Sequence, residues 1–181
     1  NRFFMRVQVE QEMVPEVLYK KLPGVLPADA DISVNPLPEK KLVVMVTKEY
    51  HCLGDILIRN HFKTLGASVQ CVIGNHATLQ NICDRFDIPF YEVNSVNERQ
   101  SFEGSIIETI KKYNPDYIVL AKFMRILSPE FLAHFPGRII NIHHSFLPAF
   151  AGAAPYKQAY ERGVKMIGAT AHFVTDQLDE G

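Results

Sequence analysis

Four short apolar runs, "LVVMV" (42–46), "ASVQCVI" (67–73), "DYIVLA" (116–121) and "RIINIHH" (138–144), alternate with helical patterns along most of the chain. Few architectures accept that order. Runs that are apolar on both faces need cover from two sides, and intervening helices supply it, which predicts an α/β fold with a mostly parallel open sheet and helices on both faces. In the segment 102–113, Phe102, Ile106, Ile110 and Tyr113 recur at spacings of 4, 4 and 3, the mark of one helical face. Ligands of such sheets bind at the carboxyl ends of the strands, so polar residues placed there are the ones to weigh for function.

The texture changes at "NPLPEKK" (35–41), where two prolines bracket Leu37 and disfavour helix before them. This reads as an extended linker, over 37–41, to a main domain at 42–181. Upstream, over 1–36, "RFFMRVQVE" is a strand candidate, "EMVPEVLYKKL" a helix candidate and "ADISVN" a second strand candidate. So short a block cannot enclose a core of its own. It reads as the closing part of a small domain that begins further upstream.

Composition narrows the class. The chain has 181 residues, 47% hydrophobic and 22% charged, with a formal net charge of −1. Its Lys and Arg residues are scattered, so there is no basic field to gather nucleic acid, and no such partner is expected. Cys52, Cys71 and Cys83 show no CxxC spacing and sit beside apolar residues, which argues against a disulfide framework and fits a reducing, cytoplasmic setting. No apolar run approaches the roughly 18 residues that a membrane span needs, so no membrane partner is expected.

The polar end of "RIINIHH" is the informative one. Side chains alternate along a strand, so Ile139, Asn141 and His143 share one face while Ile140, Ile142 and His144 share the other. Asn141 and His143 therefore project together near the carboxyl end, just before "SFLP" breaks the strand. An amide and an imidazole two residues apart offer N–H donors that can converge on one oxygen, the outline of an oxyanion hole. The competing reading is two satisfied core residues. Three further arrangements stay open. Ser145 beside a histidine suggests a nucleophile, but it lacks a G-x-S-x-G elbow and suits a turn cap better. His143, His144 and His172 offer zinc ligands, although adjacent histidines point to opposite faces of a strand and none has helical i, i+4 spacing; no metal is expected. In "GATAHFVTDQLDEG" (168–181), an alternating strand leads to Asp179 and Glu180, acids able to orient a water but also common in turns before glycine.

Together, "HCLGDIL" (51–57), "FMRILSPEF" (123–131), "NIHHSFLPAF" (141–150) and "GATAHFVTDQLDEG" make the chain resemble the formyltetrahydrofolate deformylases, relatives of the glycinamide ribonucleotide formyltransferases. The resemblance implies a formyltransferase-like, Rossmann-type catalytic domain, C-terminally incomplete at Gly181, preceded by the last part of an ACT-like α+β regulatory domain. It implies the catalytic set Asn141, His143 and Asp179. The first two would bind the formyl oxygen as it becomes an oxyanion, and Asp179 would position the attacking water. Met124, Arg125, Ile126 and Leu127 would line the folate's pterin pocket, although their residue types alone read Met124, Ile126 and Leu127 as core.

Implied with these are 10-formyltetrahydrofolate as the substrate, formate and tetrahydrofolate as products, no cofactor, an amino-acid effector at the ACT-like part, and a homo-oligomer. The loop "TKEYHCLGDIL" (47–57) puts Glu49 and Tyr50 where the transferring relatives have a Gly- and Ser-containing phosphate loop. A carboxylate there repels a phosphate, which favours water over a phosphorylated amine as acceptor. Ala77, Ala154 and Lys157 depart from the pattern, where an acid or proline, a basic residue and a histidine are expected in turn. A non-catalytic folate or amino-acid sensor is the remaining alternative.

Overall fold

The computed structural model describes residues 5, 7, 15–32, 39–93, 99–150, 152 and 154–177. The chain divides into two units, Asn1–Pro38 and Glu39–Gly181. In the first, α1 (Pro15–Lys21) falls inside the expected helix and runs into a 3-10 turn, Leu22–Gly24. Residues 30–32 of the expected strand "ADISVN" have no regular structure, and the rest of it, like nearly all of "RFFMRVQVE", lies outside the described residues.

The second unit holds a six-stranded sheet. Its strands are β1 (Lys40–Val46), β2 (Ala67–Gly74), β3 (Phe90–Glu92), β4 (Tyr117–Ala121), β5 (Ile139–His143) and β6 (Thr170–Phe173), in the order β3-β2-β1-β4-β5-β6. All pairs are parallel except β5 with β6. Strand β1 begins at Lys40, so residues 40 and 41 belong to the sheet and not to a linker. Lys40 and Lys41 pair with Ala67 and Ser68, and the Lys41 amide donates to Asp116 at 2.8 Å. Strand β3 is an addition to the sequence reading, three residues that the preceding Pro89 and a lack of alternation conceal.

Helices α2 (His51–His61), α3 (Gln80–Arg85), α4 (Arg99–Tyr113), α5 (Pro129–His134) and α6 (Pro155–Glu161) connect the strands. Alternation along β1 decides which face each residue serves. Val43 and Met45 enter a core with Phe102, Ile106 and Ile110 of α4 and Phe131 of α5; Val44 and Val46 enter another with Leu53 and Leu57 of α2 and Cys83 of α3. The sheet is therefore covered on both sides, as the apolar runs require. Fully burying such a side chain contributes about 1.5–3 kcal/mol.

The order places a topological switch between β1 and β4, since the chain leaves β1 in one direction and returns on its other side. A row of paired residues, Met45, Leu120, Asn141 and His172, crosses four strands just below that edge. It is apolar over β1 and β4 and polar over β5 and β6, so the carboxyl edge beside β5 is where the core gives way to a site.

Candidate active site

Asn141 lies opposite His172 in the β5–β6 pair, and its Nδ2 is 3.4 Å from His172 Nε2. The other ring nitrogen of His172, Nδ1, is 3.1 Å from the Phe173 carbonyl and donates to it. That places the proton on Nδ1 and leaves Nε2 as the acceptor for one amide hydrogen of Asn141. This long contact gives the amide a preferred orientation, with its second hydrogen directed to another acceptor.

His143 is 7% exposed, and its Nε2 is 3.1 Å from the Phe150 carbonyl, to which it donates. The loop that brings this carbonyl over the ring is tied at several points. Ser145 Oγ reaches the Ala149 and Phe150 carbonyls at 2.8 and 3.2 Å. Thr170 Oγ1 donates to the Ser145 carbonyl at 2.7 Å and accepts from the Leu147 amide at 3.0 Å. Ser145 is thus a loop fastener, as its sequence context suggested. While the Phe150 bond holds, a hydrogen for a substrate oxygen can come from His143 only through Nδ1 of the protonated ring.

His144 corrects the simple alternation. The strand ends at His143, and beyond it the two rings stack with centroids 5.7 Å apart and planes at 23°, so they do not diverge to opposite faces. The ring also meets Tyr156 of α6, at 5.6 Å between centroids, and Lys122 Nζ lies 3.2 Å from its Nε2. Burial, then the Lys122 ammonium and the His143 ring, hold the His144 pKa below its ordinary value, while Glu49 acts the other way. Neutral His144 accepts from Lys122.

Past β4, the buried residues Phe123 and Leu127 flank three exposed ones, 124–126. Phe123 and Leu127 enter the α4–α5 core, whereas Met124 is 64% and Ile126 73% exposed. The reading of Met124 and Ile126 as core residues is therefore corrected, because the strand has ended and only every fourth side chain of this segment turns inward. Arg125 places its guanidinium 4.5 Å from the centre of the Phe102 ring. The Met124 amide donates to Thr47 Oγ1 at 3.0 Å, linking the ends of β4 and β1. Ser128 then caps α5, accepting from the Phe131 amide at 3.1 Å while its own amide donates to buried Glu103 at 3.0 Å. Two exposed apolar side chains are thus presented from a well-anchored segment, which suits a flat aromatic ring.

The loop after β1 is short. Helix α2 starts at His51, so Thr47 to Tyr50 form the whole turn and Gly54 lies inside the helix. Glu49 stands 3.6 Å from Lys122 and 3.7 Å from His51. Sequence reasoning passed over Lys122, Thr47 and Thr170, none of which has a motif or a periodicity of its own. Asp179 lies outside the described residues, and β6 carries the chain from the His143 end toward the Ile140 end. Among the described residues no group of three or more His, Cys, Asp or Glu side chains is placed to hold a metal ion.

Of the residues that depart from the expected pattern, Ala154 has a left-handed backbone with φ 53° just before α6, and Lys157 pairs with Glu161 one turn on at 3.8 Å. Both are at the surface. No described helix is long and apolar enough to cross a membrane.

The formyl transferase family profile matches residues 40–181. A formyltetrahydrofolate deformylase of Escherichia coli O6:H1 is 51% identical over the whole chain, which spans 65% of that relative's length. A formyltetrahydrofolate deformylase structure from Pseudomonas syringae pv. tomato superposes with a TM-score of 0.75 at 42% identity, covering 79% of this chain and 48% of that one. Glycinamide ribonucleotide transformylase 1 from Symbiobacterium toebii superposes with a TM-score of 0.74 at 32% identity, covering 79% of this chain and 69% of that one. With the sheet, the carboxyl-edge site and the sequence in agreement, the chain belongs to the formyl transferase family.

Proposed function

We propose that the protein hydrolyses 10-formyltetrahydrofolate to formate and tetrahydrofolate. The observation that carries the reading is the pair Asn141 and His143 at the carboxyl edge of β5, with the amide oriented by His172 and the imidazole by Phe150. The formyl carbonyl is attacked by water and its oxygen gains negative charge. Donors about 2.7–3.1 Å from that developing charge stabilise it, because they are already aligned before the charge forms. The tetrahedral carbon then expels an arylamine nitrogen, a better leaving group than an alkyl amide nitrogen. The chemistry calls for no cofactor. Asp179 takes the role of orienting the water and managing its proton. Met124 and Ile126 supply apolar contact for the pterin, Leu127 backs the segment from the core, and Arg125 is held against α4.

Identity to proteins named formyltetrahydrofolate deformylase across the full chain supports this reading, including the part before residue 39. That part we assign to an ACT-like regulatory domain with an amino-acid effector, in a cytoplasmic homo-oligomer that supplies formate for purine synthesis and balances one-carbon pools. A second reading, formyl transfer to a phosphorylated amine, is favoured by the likeness to the Symbiobacterium toebii transformylase. Against it stands Glu49 in the turn after β1, a carboxylate where a phosphate would have to sit.

The deciding experiment follows formate release from 10-formyltetrahydrofolate with and without glycinamide ribonucleotide. Hydrolysis predicts formate at the same rate in both. Turnover only with the amine, yielding a formylated amine and no formate, overturns it.

A further inference from the structure

Lys122 follows β4 with a φ of 58°, in the left-handed region that a side chain disfavours and glycine adopts freely. Glycine would avoid that cost, so a lysine in this conformation invites a functional explanation. Its side chain is only 18% exposed. The ammonium lies 3.6 Å from Glu49 Oε2 and 3.2 Å from His144 Nε2. Glu49 follows β1, Lys122 follows β4 and His144 follows β5, so the three come from the carboxyl ends of three neighbouring strands. His144 in turn stacks on His143.

We propose that Lys122 is a positioning residue for the chemistry at His143, holding the His144 ring through Nε2 and so fixing the surface against which the His143 imidazole stacks. The inference rests on the hydrolytic reading of this site. From its left-handed position after β4, Lys122 sets its ammonium between Glu49 and His144. A His144 that took up a proton would lose the Lys122 hydrogen bond and place a second cation beside Lys122 and against His143. The groups facing His144 are Lys122 after β4, His143 on β5, Glu49 and His51 around the start of α2, and Tyr156 on α6. Lys122 is the one cation among them in hydrogen-bond contact with the ring.

The test compares the wild-type protein with Lys122→Gly and Lys122→Arg. NMR titration of the His143 and His144 rings, the thermal midpoint, and kcat and KM for 10-formyltetrahydrofolate are the readouts. Glycine relieves the backbone while removing the donor. The expected result for Lys122→Gly is an unchanged or higher midpoint, a His144 titration moved up toward the ordinary histidine range, shifted His143 signals, and a roughly 10- to 100-fold loss in kcat at nearly constant KM. Lys122→Arg restores part of the rate. Wild-type titration of both histidines in Lys122→Gly overturns the proposal, as does a lowered midpoint with unchanged kcat, which marks a merely structural lysine. If the wild-type protein releases no formate, the hydrolytic reading fails by itself, and the two titration curves still decide whether Lys122 holds the pair.

Discussion

Asn141 is the residue on which the proposed chemistry turns. A strand position beside Leu120 would ordinarily take Val or Ile, and an amide there is acceptable only if its hydrogens find partners. His172 meets one of them from the neighbouring strand. Replacing His172 with Leu leaves that hydrogen without its acceptor and frees the amide to rotate. We expect a loss of about 1–3 kcal/mol in stability, read from the urea midpoint, together with reduced kcat. Asn141 and His143 were legible in the sequence because period-two alternation survives to the last residue of β5. His144 and Lys122 were not, since one lies past the strand end and the other depends on a left-handed backbone that no residue type announces. The depressed pKa of His144 carries a sign that can be checked. Its unfolded form binds a proton below about pH 6.5 while the folded form does not. Stability should therefore fall as pH drops from about 6.5 toward the folded pKa, and Lys122→Gly should raise the lower end of that window and shrink the fall while its onset stays near pH 6.5.

Among elements, the strands and α4 were the most readable. The spacing of Phe102, Ile106 and Ile110 puts all three in one core, and the apolar runs fall where the sheet has its strands. By residue type alone Met124, Ile126 and Leu127 of the connection from β4 to α5 read as core, yet of these only Leu127 turns inward. Apolar type says nothing about which way a residue points once the strand has ended. Phe131 of α5 is fully buried and anchors that connection from below. Phe131→Ala should cost about 3–5 kcal/mol, measured by chemical denaturation. The loop after β5 depends on a different contact: a Cβ added at Gly168 would clash with the Phe146 ring. Gly168→Ala must displace that ring and loosen the loop whose Phe150 carbonyl holds His143. Reduced kcat with a modest loss of stability, about 1–3 kcal/mol, is the expected outcome.

At the scale of the molecule, one sheet separates two apolar cores and delivers Thr47, Lys122, Asn141 and His143 to a single edge. The order of strands and helices makes that edge predictable, because β1 and β4 part company there. What the chain order could not disclose was how three strand ends close on one another through side chains, a matter of tertiary geometry. The central claim is that this edge hydrolyses a formamide by stabilising its oxyanion. It is tested most directly by the rate of formate release from 10-formyltetrahydrofolate by Asn141→Ala against the wild-type protein, with folding of both verified by circular dichroism. The account predicts a loss of about 10²–10³ in kcat, whereas turnover near that of the wild type in the folded variant would contradict it.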